Sequence, residues 1–223
     1  MSTNKISLDF LLQEPTFDKT LVLKITPLTP LSMVSKLPGS YYHSSLEPTN
    51  QMVFGMIENL LSFHFSPDIR NQIEKRLKKE FKKSFNALPE SGSGYKSILS
   101  NHIKIESINK PEETTSFEDL WSQQLKRNDK GHLNGSRNYD WRLEQKLDTL
   151  EEKLQTQYYP YYYISPTNRE YILCKGSYSI ALTTNKELAQ RIREGLSNLN
   201  TPLYLGSNDG WIEVIAEVSD EKL

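Results

Sequence analysis

Residues 21–65 read LVLKITPLTPLSMVSKLPGSYYHSSLEPTNQMVFGMIENLLSFHF, and this stretch sets the fold. Leu21 to Thr26 alternates and is rich in β-branched residues, which predicts a strand; Pro27 and Pro30 end it. A polar loop follows to about Pro48. Met52, Met56, Leu60 and Phe63 then recur at helical spacing, as do Val53, Ile57 and Leu61. A helix apolar on most faces is a buried helix. Thr49 or Asn50 is its N-cap. Gly55 costs about 1 kcal/mol relative to Ala in a helix interior, and a close approach to a sheet would account for it. His64 reads as a core or boundary histidine of the same helix.

Working outward, Ser66-Pro67-Asp68 opens a second helix to about Leu88. Ile69, Ile73, Leu77, Phe81 and Phe85 form its apolar stripe. Lys75, Arg76, Lys78, Lys79, Lys82 and Lys83 fill the other faces against Glu80 alone. Ser91 to Gly94 is a break. His102 to Ile108 alternates like a strand, 110–135 is polar and irregular, and Arg137 to Gln157 reads as a helix. Tyr158 to Ser165 and Glu170 to Lys175 predict a hairpin about Pro166-Thr167-Asn168. Asn185 to Asn198 is an amphipathic helix with Leu188, Ile192 and Leu196 inward, and strands follow at 202–205 and 211–218.

With the middle set aside, the order is strand, helix, strand, strand, helix, strand. The expected fold class is therefore α+β, a ferredoxin-like (RRM-like) βαββαβ core with a large insertion (a thumb) between the first helix and the second strand. The expected organisation is 1–66 as the first strand, loop and helix of the core, 67–157 as the insertion, and 158–223 as the hairpin, second helix and last strands. An insertion of that length carries function more often than not.

Among 223 residues the formal net charge is −1. A free-standing nucleic-acid binder carries a cationic excess, so any such contact here is local or shared with other subunits. One cysteine, Cys174, excludes an internal disulfide and a Cys-based metal site; the four histidines form no HxxxH pair, and neither a metal nor a cofactor is expected. MSTNKISLDFLL lacks the basic-then-apolar pattern of a secretory signal, and no stretch reaches the ~18–20 apolar residues of a membrane span. A cytoplasmic protein without a membrane partner is expected.

Three clusters could carry chemistry. The basic face (Lys75, Arg76, Lys79 and Lys82 foremost) either lines phosphates or is a solvated helix face. The 35–43 loop holds Lys36, Gly39, Tyr41, Tyr42 and His43: charge, a glycine that lets backbone approach a ligand, and rings for stacking. The alternatives are a rigid loop packing its own aromatics, or a Tyr-His-Lys acid–base set for cleaving RNA. Arg137, Tyr139, Trp141 and Arg142 (RNYDWR) suit an unstacked nucleotide or a protein interface, or an apolar anchor with arginines along it.

The loop KLPGSYYHSSLEPTNQMVFGMIENLL, with Pro48, Thr49 and Gly55, and the closing TPLYLGSNDGWIEV, with Pro202, Tyr204, Leu205 and Gly206, resemble the Cas-five family of the RAMP superfamily, a subunit of type I CRISPR Cascade complexes. The hairpin ISPTNREYILCKGSY fits too, and the likeness covers both ends, about half the chain. It implies an RNA-binding subunit that holds the five-prime handle of the guide crRNA, caps the backbone filament, and contacts the large subunit and the first backbone subunit, with target DNA a further candidate. It places a thumb within 93–157, Arg137 to Arg142 at its tip or base, and puts Tyr204 and Gly206 among the RNA-binding residues. One branch of that family cleaves precursor RNA with Tyr, Lys and His. This chain has those residue types without a matching arrangement, so a non-catalytic subunit is expected, with a metal-independent endoribonuclease as the alternative.

Overall fold

The computed structural model describes residues 7–35, 41–91, 94–121, 126–127, 161–162 and 167–218. Of the expected features, Lys36, Gly39, Arg137, Tyr139, Trp141, Arg142 and the helix over 137–157 lie outside them. The chain divides into two compact units. One comprises Met1–Gly39, His43–Phe117 and Glu170–Leu223; the other comprises Ser40–Tyr42 and Glu118–Arg169.

The first unit is built on an antiparallel sheet. β1 (Lys19–Pro27) lies between β8 (Tyr178–Thr184) and β10 (Trp211–Val218). β3 (Ile103–Asn109) flanks β8 and the short β9 (Leu203–Tyr204) flanks β10, giving the order β3-β8-β1-β10-β9. Alternation fixes the register: Leu21, Leu23 and Ile25 of β1 are paired with Leu182, Ile180 and Tyr178 of β8, and all six are buried. A one-residue slip would turn that row to solvent.

Two helices cover the apolar face. α1 (Asn50–Leu60) starts where Thr49 Oγ1 accepts a hydrogen bond from the Met52 N–H at 3.3 Å. α3 (Lys186–Ser197) starts where Asn185 Oδ1 accepts from Leu188 N–H at 2.7 Å. Val53, Ile57, Leu188 and Ile192 join the sheet residues in one core. The opposite face carries Thr20, Val22, Lys24, Glu213 and Glu217, with Trp211 and Ile215 each 53% exposed.

α2 (Pro67–Phe81) follows α1, and it stops short of the expected Leu88. Lys82 adopts φ +47 and the chain turns through a 3₁₀ segment, Lys82–Ser84. The turn brings Leu88 into the core, its N–H bonded to Glu74 Oε1 at 3.3 Å. The expected apolar stripe is correspondingly partial: Leu77 is buried, Ile73, Phe81 and Phe85 are half-buried, and Ile69 is exposed. His64 also departs from expectation. α1 ends at Leu60, Ser62 takes φ +60, and His64 is exposed beyond the helix.

The strands flanking the insertion are reassigned. Ile103–Asn109, which periodicity places inside the insertion, is the edge strand of the main sheet. Its pairing with β8 slips between Ile105 and Ser107, a β-bulge at Glu106. Residues 170–175 belong to β7 (Thr167–Lys175), which lies in a second, three-stranded sheet between β2 (Tyr41–Tyr42) and β4 (Glu113–Trp121). Gly176, at φ +98, redirects the chain between β7 and β8. The expected 158–175 hairpin is absent among the described residues: β6 (Tyr161–Tyr162) pairs instead with β5 (Lys126–Arg127). No helix among the described residues is long and apolar enough to cross a membrane.

Candidate nucleic-acid interface

The basic helix is anchored by a buried charge that periodicity alone does not reveal. Glu58, on the core side of α1, and Arg70, in the first turns of α2, are 2% and 8% exposed. Arg70 donates to three carbonyls: Phe65 from Nε, Lys96 from Nη1 and Phe63 from Nη2, at 3.0–3.2 Å. Nη1 also lies 2.6 Å from Glu58 Oε2, a close charge pair that adds to those bonds. Glu58 Oε1 accepts from Ser97 Oγ at 2.6 Å and from Ile98 N–H at 2.8 Å. The guanidinium also lies 4.8 Å from the centroid of the Tyr95 ring. Burial, with Glu58 alongside, pushes the Tyr95 hydroxyl pKa well up, so it stays neutral. A lone Glu inside the apolar run MVFGMIENLL is the signal that could have found this pair, because an unpaired buried carboxylate is too costly to keep.

From this anchor α2 projects Lys75, Arg76, Lys78 and Lys79, followed by Lys82 and Lys83, all exposed. Ser66 Oγ caps its start, Asp68 sits in the first turn, and Lys78 and Lys79 complement the carbonyl end of the helix dipole. The remaining acids of the helix are Glu74, bridged to Lys96 at 3.1 Å, and exposed Glu80.

The loop after β1 is closed at its base. Leu31 and Ile172 exchange backbone hydrogen bonds at 2.8–2.9 Å. Met33 N–H donates to Ser44 Oγ at 2.7 Å, and Ser45 N–H donates to the Met33 carbonyl at 3.0 Å. Tyr178, fully buried, donates its hydroxyl to the Leu46 carbonyl at 2.9 Å. Met33 is thus held against Ser44 and Ser45, forming a neck.

His43 stands at this neck with its side chain 80% exposed, its Nδ1 3.3 Å from Glu170 Oε2. Glu170 also accepts from Ser44 N–H at 3.0 Å. Burial draws the Glu170 carboxyl pKa up, but the hydrogen bonds from Ser44, Ser116 and His43 outweigh it and leave it below the ordinary range. Tyr41 and Tyr42 form β2, half-buried, with the Arg169 guanidinium 5.4 Å from the Tyr42 ring centroid.

Gly206 and Tyr204 lie at packed positions. Gly206 has φ +79, and a Cβ there would collide with the Ser32 carbonyl oxygen. Ser207 N–H donates to that carbonyl at 3.0 Å, so the 206–210 turn is seated on the loop base. At Gly210 a Cβ would come 2.6 Å from the Leu205 carbonyl oxygen. Tyr204 is half-buried opposite Trp211. Gly55 does not abut the sheet: a Cβ there would meet the Tyr95 hydroxyl at an ordinary 3.6 Å. Cys174 Sγ lies 3.5 Å from Tyr178 Oη, and burial raises its pKa, which favours the protonated thiol. Among the described residues no group of three or more His, Cys, Asp or Glu is placed to hold a metal ion.

The structure therefore presents an exposed cationic helix and, in the same unit, a pinned loop base with His43 exposed beside it, on which Gly206 is packed. Comparison with known proteins gives one family match, to CRISPR-associated protein Cas5p, over residues 6–216. No curated protein matches. A chain of the type III-B Cmr-beta bound to cognate target RNA and AMPPnP, solved by cryo-EM, is similar over 92% of this chain and 64% of its own length, with 13% identity and a TM-score of 0.37. A chain of Cmr-beta bound to cognate target RNA is similar over 92% and 65%, with 14% identity and a TM-score of 0.37. The present chain spans just under two thirds of the length of these solved chains.

Proposed function

The chain belongs to the CRISPR-associated Cas5p family, and from that premise we propose that it is a non-catalytic RNA-binding subunit of a type I Cascade complex, holding the five-prime handle of the guide crRNA and capping the backbone filament. The observation that carries this reading is the face of α2: exposed Lys75, Arg76, Lys78 and Lys79 on a helix held by the buried Glu58–Arg70 pair, with exposed Lys82 and Lys83 just after it. A polyanion gains most from cations whose spacing is set before it arrives. The near-neutral total charge suits a subunit that shares the phosphate load and gives other surface to a backbone and a large subunit. The strand order β3-β8-β1-β10 with α1 and α3 on one face supports a ferredoxin-like core. In this core β3 is the second strand, and the longest insertion falls between β3 and β8.

Ultraviolet crosslinking of the assembled complex tests the proposal: adducts between this subunit and the leading nucleotides of the guide are expected, and a subunit free of RNA adducts would defeat it. Neutralising Lys78, Lys79, Lys82 and Lys83 together should weaken binding and flatten its salt dependence, by about 0.7 in log–log slope for each phosphate no longer neutralised.

The His43–Glu170 contact favours a second reading, a metal-independent endoribonuclease, because a carboxylate that orients an imidazole is how a general base is held. Incubation with repeat RNA, with and without EDTA, separates the two. Site-specific cleavage lost in His43→Ala would establish the enzyme.

A further inference from the structure

The outer face of the main sheet, away from α1 and α3, lacks what an RNA-binding sheet needs. An RRM-type sheet holds RNA by stacking bases on aromatic rings that its strands present. Here β8 and β1 run through the middle of the sheet. Their outward residues include Thr20, Val22 and Lys24 of β1 and Ser179, Ala181 and Thr183 of β8, and no ring stands on this face of either strand.

The apolar side chains of this face stand on β10 instead. Trp211 and Ile215 are each 53% exposed, and the Trp211 indole N–H donates to the Asn208 carbonyl at 3.3 Å, which holds the ring in place. Glu213 and Glu217 stand exposed on the same strand, and the register sets exposed Lys24 against Ile215. Along β3, Lys104 and Glu106 bind each other at 2.9 Å. The balance is two carboxylates to one ammonium, which repels a polyanion and attracts cationic side chains. Strands about 4.8 Å apart, paired from Leu21 to Pro27, make a plain about 15 Å wide and 20 Å long. That is the footprint of one helix about 10 Å across and three to four turns long, and the short side chains of β1 and β8 let it approach closely.

We infer that this face seats one amphipathic helix of a neighbouring protein subunit, its apolar stripe on Trp211, Ile215 and Val22 and its Lys or Arg side chains against Glu213 and Glu217. The inference rests on the subunit reading above and deepens it, because it gives the open sheet to protein and withholds it from RNA. A tryptophan whose N–H is already bonded and whose ring is already held brings a large apolar surface at little entropic cost, and such residues dominate the energy of protein interfaces.

The test places the photo-crosslinker p-benzoylphenylalanine at position 215 of the full chain, in the complex assembled from its co-expressed subunits. Irradiation should join it to one other protein subunit, and mass spectrometry should place the adduct on a segment with an apolar stripe at helical spacing flanked by Lys or Arg. Trp211→Ala should weaken entry of the chain into the complex by about 30-fold or more, and Glu213→Lys/Glu217→Lys should weaken it as well. Both variants change exposed positions, so thermal unfolding should show them folded, and anisotropy with labelled RNA should match the wild type. An adduct with RNA, or with a second copy of this chain, overturns the proposed occupant and leaves the subunit reading standing. No adduct from position 215 in an intact complex, or entry of Trp211→Ala at wild-type strength, overturns it too. If the wild-type chain enters no complex, both readings fall.

Discussion

Replacing Gly206 by Ala tests whether the 206–210 turn is truly seated on the loop base. At φ +79 a residue with a Cβ pays about 1–2 kcal/mol in backbone strain. The new methyl would also collide with the Ser32 carbonyl oxygen, which is backbone and cannot step aside cheaply. Relief requires lengthening the 3.0 Å hydrogen bond from Ser207 N–H to that oxygen, worth ~1 kcal/mol. The sum is about 2–3 kcal/mol. At roughly 2–4 °C per kcal/mol for a chain of this size, Tm should fall by about 4–12 °C. Gly176→Ala is the matched control: φ is +98, but its Cβ would meet the Glu112 nitrogen at a comfortable 3.7 Å. It should cost the strain alone, about 1–2 kcal/mol. Urea unfolding monitored by tryptophan fluorescence measures both. If Gly206→Ala is no worse than Gly176→Ala, the contact with Ser32 does not constrain the turn and the reasoning is wrong.

Arg70→Met should destabilise by about 3–5 kcal/mol, because it strands the buried Glu58 carboxylate; Glu58→Gln/Arg70→Met, which keeps an acceptor for Ile98 N–H without the charge, should recover part of that deficit in the same unfolding assay. His102 has a folded pKa below its unfolded value of 6.5. Its contribution is therefore complete above about pH 6.5 and is lost as pH falls from there toward the folded pKa. Wild type should lose more stability than His102→Gln between pH 7.5 and 5.5; equal losses would show that the ring titrates freely. Gly55→Ala should raise stability by about 0.5–1 kcal/mol, since the added methyl meets Tyr95 at ordinary distance; a fall in Tm would mean that the site is tighter than it looks.

The main elements were legible where one periodicity ran without interruption. LVLKIT, the buried α1 with its Thr49 cap, α3 with its Asn185 cap, and the closing strand at 211–218 all follow from spacing and cap residues. The pairing of strands was not legible. EYILCK and IKIESIN are equally strand-like, and which of them enters the main sheet depends on the turn at Gly176 and on contacts distant in sequence. The end of α2 escaped because its apolar spacing continues through Phe85, whereas the chain breaks at Lys82 to bury Leu88. At the candidate interface, periodicity delivered the cations of α2 but not what holds them. Glu58, Arg70 and Glu170 gain meaning only from partners brought close by folding.

The β-bulge in β3 bears on solubility. A straight, regularly spaced border of unpaired amides would let a second copy zip on. Here the outermost strand slips at Glu106 and carries Lys104 and Glu106 as charged, exposed side chains. An incoming strand would meet an interrupted ladder and have to strip water from both charges, so this margin resists the stacking that leads to fibres.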